Sequence, residues 1–300
     1  MTLPASIRIT DVGPRDGLQN ESTVVSTGSK VQLVDRLQHA GVAGVEVSAF
    51  VRPDRVPQLA DATEVFEGIE RVDGVVRSAL VPNERGWEAA REAGVDKIAV
   101  FTSASERFSM ANINCSIAES LERFMPVVQG ARVDSIPVRA YVSCAVACPY
   151  HGPVEPSIVV EVVSSLLELG VDEIDLGDTI GAATPADIER LLEACSTVIV
   201  PGDLTLHLHD TGRGALACCV HAMHLGVRSF DASCGGLGGC PFAPGASGNL
   251  ATEDLIRCCS VLGVETGVDL EAIHEASTGI ESELGRGPAS VTGRALAAQS

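Results

Sequence analysis

Short β-branched apolar runs recur along the chain, spaced so that one helix fits between each pair. Segments 7–12, 44–50, 75–81, 97–101, 138–144, 173–176, 204–210 and 228–233 read as eight strands. Between them, segments 29–40, 84–93, 117–129, 158–169, 185–195 and 214–225 repeat apolar residues close to a 3.6-residue period and read as amphipathic helices. Four of these run into the same punctuation: Ala40-Gly41-Val42, Ala93-Gly94-Val95, Leu169-Gly170-Val171 and Leu225-Gly226-Val227. Gly there takes the left-handed position that stops a helix, and Val opens the next strand. The cadence predicts βα units wound in one direction, hence a parallel sheet. Eight such units in about 230 residues fit an α/β fold of the (β/α)8 TIM-barrel type. A doubly wound open sheet is the alternative, but the first turn lacks its G-x-G-x-x-G fingerprint. The pattern turns helical again over 250–264 and 270–283, and 285–300 is expected as a loose tail. No linker divides the chain, so a single domain over 1–300 is expected: a barrel from about 5 to 250, then C-terminal helices and a tail over 251–300.

Composition narrows what this barrel can bind. Hydrophobic residues make up 45% but aromatics only 3%, so the core must be built from Val, Leu, Ile and Ala. A formal net charge of -19 argues against nonspecific nucleic-acid binding and against anionic membranes. A phosphate-bearing ligand would need local help from helix N-termini or a few Arg. No apolar run reaches the roughly 18 residues of a membrane span, and residues 1–6 lack a signal-like basic and apolar pair of segments. The 10 cysteines form no C-x-x-C motif and are expected to be reduced in a cytoplasmic setting.

Segment 204–210, Leu-Thr-Leu-His-Leu-His-Asp, alternates apolar and polar. On a strand, His207 and His209 point to one face and offer half of a divalent-metal site. Two unrelated histidines are the competing reading. In a barrel, chemistry gathers where strands end. The first strand runs into Gly13-Pro14-Arg15-Asp16-Gly17-Leu18-Gln19-Asn20-Glu21; the second carries Glu46, and the sixth ends at Asp178. The eighth opens a glycine-rich loop containing Cys240 and ending at Asn249. Asp16, His207, His209 and Asn249 make a mixed nitrogen–oxygen shell suited to Mg²⁺ or Mn²⁺, with Zn²⁺ allowed on ligand type. Each has an ordinary alternative: Asp16 as a turn residue, Asn249 as a helix cap, and Asp210 as a group that only orients a histidine. Cys240 reads as the acid/base group of a lid or as an incidental thiol on a surface loop.

These motifs resemble those of the 3-hydroxy-3-methylglutaryl-CoA lyase family. The likeness is carried by 11–21 (DVGPRDGLQNE), 45–60 (VEVSAFVRPDRVPQLA), 112–116 (NINCS), 141–150 (YVSCAVACPY), 176–181 (LGDTIG), 207–211 (HLHDT) and 236–254 (GLGGCPFAPGASGNLATED). The resemblance implies a TIM-barrel metallolyase, normally a homodimer, that cleaves its acyl-CoA substrate to acetyl-CoA and acetoacetate. It places Asp16, His207, His209 and Asn249 at the metal. It gives Arg15 the developing enolate and Cys240 the loop acid/base role, with Asp16 and His207 as candidate bases. Gln19, Glu46 and Asp178 join Arg15 in lining the substrate site. Ser22 and Ser109-Met110-Ala111 stand where relatives often carry Lys, and Gly212 where they carry an aromatic. Fewer cations therefore line the expected CoA path, and Gly212 is expected to leave room for a larger 3-substituent. The alternatives are a sister lyase for another 3-hydroxy-3-substituted glutaryl-CoA and a metal-dependent hydrolase barrel. The latter usually carries H-x-H on its first strand, whereas here it lies on the seventh.

Overall fold

The computed structural model describes residues 2–238 and 248–299. Eight parallel strands close on themselves: β1 (Arg8–Asp11), β2 (Gly44–Ala49), β3 (Val76–Leu80), β4 (Lys97–Ser103), β5 (Val138–Ser143), β6 (Glu173–Asp178), β7 (Leu204–Leu208) and β8 (Ser229–Ala232). They follow in sequence around the ring, and β8 pairs with β1 in the register Asp11↔Ala232. This is a TIM barrel, and closure removes the open-sheet alternative.

The six expected helices are present as Thr27–His39, Glu84–Glu92, Ile117–Val133, Pro156–Leu169, Pro185–Cys195 and Ala215–His224. Gly41, Gly94, Gly170 and Gly226 follow their helices with φ of +89°, +72°, +97° and +107°, the left-handed stop that the punctuation predicts. The apolar stripes of the helices pack on the outside of the barrel in one continuous core built mainly of Val, Leu, Ile and Ala. The barrel's inside is different. Glu46, Arg139, Asp175, His207 and Asp231 are all buried on its strands.

The structure departs from the pattern in several places. The histidine strand ends at Leu208, and His209 instead forms an isolated antiparallel bridge with Asn249. Short helices Ala62–Gly68 and Glu106–Ile113 follow β2 and β4, too brief to show a period. A small antiparallel pair, Ala147–Cys148 with Gly152–Pro153, follows β5. After helices Thr252–Leu262 and Leu270–Glu283, the expected tail contains a further helix, Val291–Ala297. Its start is capped by Ser290 Oγ, which accepts from Gly293 N at 2.9 Å. Asp254 of helix Thr252–Leu262 also accepts from Val291 N and Thr292 N. A side chain distant in sequence therefore holds a segment that is too short and too polar to be recognised locally.

Candidate active site

The site is built at the C-terminal mouth of the barrel. β1 leads into a five-residue π-helical turn, Gly13–Gly17. Asp11 Oδ1 starts it by accepting from Gly13 N at 2.9 Å. Gly17 ends it against the eighth loop, where a Cβ would stand 2.7 Å from Leu237 Cβ. A tight turn with room for nothing larger than Gly therefore aims Arg15 and Asp16 over the mouth.

Arg15 is buried and doubly paired. Its Nε donates to Glu46 Oε2, and its Nη1 donates to Asp16 Oδ1 at 2.6 Å. Its guanidinium carbon lies 5.5 Å from the Tyr141 ring centroid. Burial opposes the charge, but Glu46 and Asp16 outweigh it and hold the guanidinium firmly protonated. Glu46 itself is fully buried with Oε1 unpartnered, and burial pushes its carboxyl up despite Arg15.

His207 Nε2 and His209 Nε2 face each other at 3.3 Å, with Asp16 Oδ2 3.9 Å from His207 Nε2. One ligand atom from each of the three lies within 4.8 Å of the others. Asn249 Nδ2 donates to Asp16 Oδ2 at 2.9 Å and to the Leu237 carbonyl at 3.0 Å, while its Oδ1 is buried without a partner. Burial lowers both imidazoles, but the hydrogen bond that His207 donates to Asp231 and the charge of Asp16 lift His207 to about 9. Burial and the neighbouring charge of His207 push His209 down to about 4. Burial alone would raise Asp16; Arg15, the two histidines and Asn249 override it and hold that carboxyl well below its usual range. Two facing imidazole nitrogens, a low-pKa carboxylate and an orphaned amide oxygen form a donor set that suits a divalent cation, whose binding would displace the His207 proton.

Several sequence alternatives are now decided. Asn249 is not a cap: the next helix has Ala251 at its N-cap and no side-chain cap. Asp210 Oδ1 accepts from Ala215 N at 3.0 Å at the start of the following helix. The carboxylate at His207 Nδ1 is instead Asp231, 3.3 Å away. Asp178 turns into its own loop, accepting from Ala182 N at 3.1 Å and Ala183 N at 2.8 Å, and its neighbours Gly177 and Thr179 line the cavity. Gly212 does not enlarge that cavity. It backs onto the sixth loop, where a Cβ would meet the Gly181 carbonyl at 2.7 Å. Cys240 lies outside the described residues.

The cavity above this cluster measures about 330 Å³. Arg15, Asp16, Gln19, His207 and His209 form its polar floor and edge, and Val51, Val56, Leu80, Phe101, Phe108 and Ile113 form an apolar wall. Sequence reasoning missed Tyr141, Arg139, Asp175 and Asp231. The available signal was a charge set between apolar neighbours within a strand, as in Val138-Arg139-Ala140, Ile174-Asp175-Leu176 and Phe230-Asp231-Ala232.

A TIM barrel with a cation-type ligand cluster and a clamped arginine at its C-terminal mouth is the class of protein that the fold and site define. Residues 6–280 match the HMGL-like family model. The chain is 49% identical over 295 residues to the hydroxymethylglutaryl-CoA lyase of Pseudomonas mevalonii, covering 98% of each chain. It is 46% identical to the 3-hydroxy-3-isohexenylglutaryl-CoA/hydroxy-methylglutaryl-CoA lyase of Pseudomonas aeruginosa, over all of both chains. A crystal structure of hydroxymethylglutaryl-CoA lyase from Pseudomonas aeruginosa superposes with a TM-score of 0.98 at 46% identity, again covering both chains completely. The chain belongs to the HMGL-like family, which removes the hydrolase-barrel alternative.

Proposed function

We propose that this chain is a carbon–carbon lyase that cleaves 3-hydroxy-3-methylglutaryl-CoA to acetyl-CoA and acetoacetate. The observation that carries the reading is the Arg15 clamp, fixed between Glu46 and Asp16, beside the Asp16–His207–His209 cluster in a chain of this family. Asp16, His207, His209 and Asn249 would hold Mg²⁺ or Mn²⁺. Once bound, the cation supplies Lewis acidity that makes the substrate's tertiary hydroxyl a stronger acid.

In the reaction, the C3 hydroxyl loses its proton and its oxygen becomes the ketone of acetoacetate. The C2–C3 bond breaks, and its electron pair moves onto the thioester as the acetyl-CoA enolate, which a proton then quenches. Arg15 supplies the fixed positive charge where the enolate oxygen develops. Because Glu46, Asp16 and the Tyr141 ring hold it, little reorganisation accompanies that charge build-up. Gln19, at the cavity edge, is the proposed substrate contact. Glu46 acts through Arg15, and Asp178 through the shape of its loop. Asp16 is a weak base in this setting, and His207 presents one nitrogen to the cavity because Asp231 occupies the other. Cys240 is the proposed proton donor on sequence grounds.

The test is acetyl-CoA release from the hydroxymethylglutaryl thioester with Mg²⁺ present, absent and chelated. Turnover that survives chelation sinks the metal reading; absence of product sinks the activity. A second reading, a bulkier 3-substituent, is favoured by the apolar cavity wall and by the substrate named for the Pseudomonas aeruginosa relative. A panel of 3-alkyl and 3-alkenyl hydroxyglutaryl thioesters separates the two by kcat/KM. The proposal includes a cytoplasmic homodimer. The nine cysteines among the described residues are free thiols, in keeping with a reducing compartment, and sedimentation of the purified chain tests the dimer. No helix among the described residues is long and apolar enough to cross a membrane.

A further inference from the structure

The two ring nitrogens of His207 look in opposite directions. Nε2 faces His209 and Asp16 on the cavity side. Nδ1 faces the barrel interior, 3.3 Å from Asp231 Oδ2. Strand register sets up this contact, because Asp231 on β8 is the direct partner of His207 on β7. Asp231 is buried and held as an acceptor at both oxygens. Arg139 Nη1 donates to Oδ1 at 2.9 Å, and Tyr141 Oη donates to Oδ2 at 3.3 Å. Arg139 also reaches Asp175 Oδ2 at 3.3 Å and Glu173 Oε2 at 3.0 Å, and Glu173 pairs with Lys97. A continuous ionic chain thus runs from the floor of the barrel to the back of His207.

We propose that Asp231 is the positioning residue of His207: its carboxylate accepts Nδ1–H, which fixes the ring and turns Nε2 toward the cavity as the atom that a cation would take. The inference rests on the metal reading of the site made above. Its physical basis is that an ionised carboxylate can only accept. A ring hydrogen-bonded to it must carry the proton on Nδ1, leaving Nε2 as the ligand atom. Arg139 and Tyr141 keep the carboxylate in that role by donating to its two oxygens.

Asp175 provides an internal control. Burial and the adjacent Asp231 push its carboxyl well above the usual range. Its Oδ2 accepts from Arg139 while its Oδ1 is buried without a partner. An amide in its place keeps an oxygen for Arg139 and puts its NH2 where no existing hydrogen bond is lost. At Asp231 the same change is disruptive. One amide oxygen cannot serve Arg139 and His207 together, and the guanidinium takes it because a charged donor binds more strongly. The NH2 then faces Nδ1, and the ring turns its N–H toward the cavity.

The test uses the full chain and Mn²⁺ as the probe, with free Mn²⁺ followed by electron paramagnetic resonance and folding by urea melts. D231N is expected to bind Mn²⁺ some 10–100-fold more weakly than wild type, while D175N keeps wild-type affinity. Imidazole ¹⁵N shifts at saturating Mg²⁺ should report His207 protonated on Nδ1 in the wild type and on Nε2 in D231N. The wild-type spectrum stands as a test even if D231N does not fold. Unchanged Mn²⁺ affinity in D231N, an Nε2–H ring in the wild type, or equal losses in D231N and D175N would each overturn the inference. Wild-type chain that binds no Mn²⁺ would instead overturn the metal reading itself.

Discussion

Replacing Arg15 by Gln should separate catalysis from stability in a way that the sequence alone does not suggest. The substitution removes the proposed enolate partner, and loss of one such donor typically costs about 10²–10³ in rate. It also strips a buried carboxylate of its counter-charge: Glu46 is fully buried, has one oxygen without a partner, and gives its other oxygen to Arg15. Breaking a buried pair from one side costs about 3–5 kcal/mol. R15Q should therefore be both nearly inactive and clearly less stable. The double variant R15Q/E46Q should recover most of the stability, because no buried charge is left stranded, yet remain inactive. Urea unfolding and acetyl-CoA release, run on the same preparations, read the two effects separately. The deficit should also depend on pH with a defined sign. Burial already holds Glu46 above its ordinary value of 4.5, and loss of Arg15 raises it further. A carboxyl raised in the folded state favours folding below 4.5, and that contribution is lost as pH climbs through the raised value. The R15Q deficit must therefore grow with pH. R15Q turnover within tenfold of wild type would refute the role of the guanidinium, and a double variant no more stable than R15Q would refute the stranded-charge account.

Other perturbations probe the frame around the site. Burial pushes Glu253 up to about 7 although Ser277 and Gly235 N donate to it, so its contribution to stability is lost as pH rises from 4.5 to about 7. Calorimetry should show the melting temperature of E253Q relative to wild type rising across that window; a flat difference removes the argument. At Gly181, φ is +63° and a Cβ would stand 2.8 Å from both the His209 carbonyl and Thr211 N. Gly181→Ala should cost about 1–3 kcal/mol through backbone strain, and its displacement of His209 should weaken Mn²⁺ binding measured by titration. If Phe101 and Val56 wall a 3-substituent site, Phe101→Trp should lower kcat/KM for bulky 3-alkenyl thioesters more than for the methyl substrate. Equal effects on both would assign that wall to another part of the ligand.

Much of the barrel was legible because each unit announces itself locally. The Gly-Val punctuation, the strand runs and the amphipathic periods all depend on residues within one or two turns of each other. Helices Ala62–Gly68, Glu106–Ile113 and Val291–Ala297 escaped notice because seven or eight residues carry no period and their support comes from elsewhere. The residues at the strand ends were legible too, since a barrel places its chemistry there. The roles of Asp178, Asp210 and Gly212 were not, because an acidic or small residue beside a strand end has the same local signature whether it faces the cavity or its own loop.

By itself, the sequence determined the alternation of strands and helices, the closed parallel sheet that eight such units imply, and the residue types at its mouth. These follow from backbone propensity, capping and hydrophobic period, all of which act over short stretches of chain. Only the tertiary structure decided which side chains meet. Closure of the ring brings Asp16 and Asn249, separated by 233 positions, to 2.9 Å. Register on neighbouring strands sets Asp231 behind His207. A tight turn clamps Arg15 between Glu46 and Asp16. Such contacts depend on register and closure, which no local pattern encodes, and they govern charge and proton placement in the site.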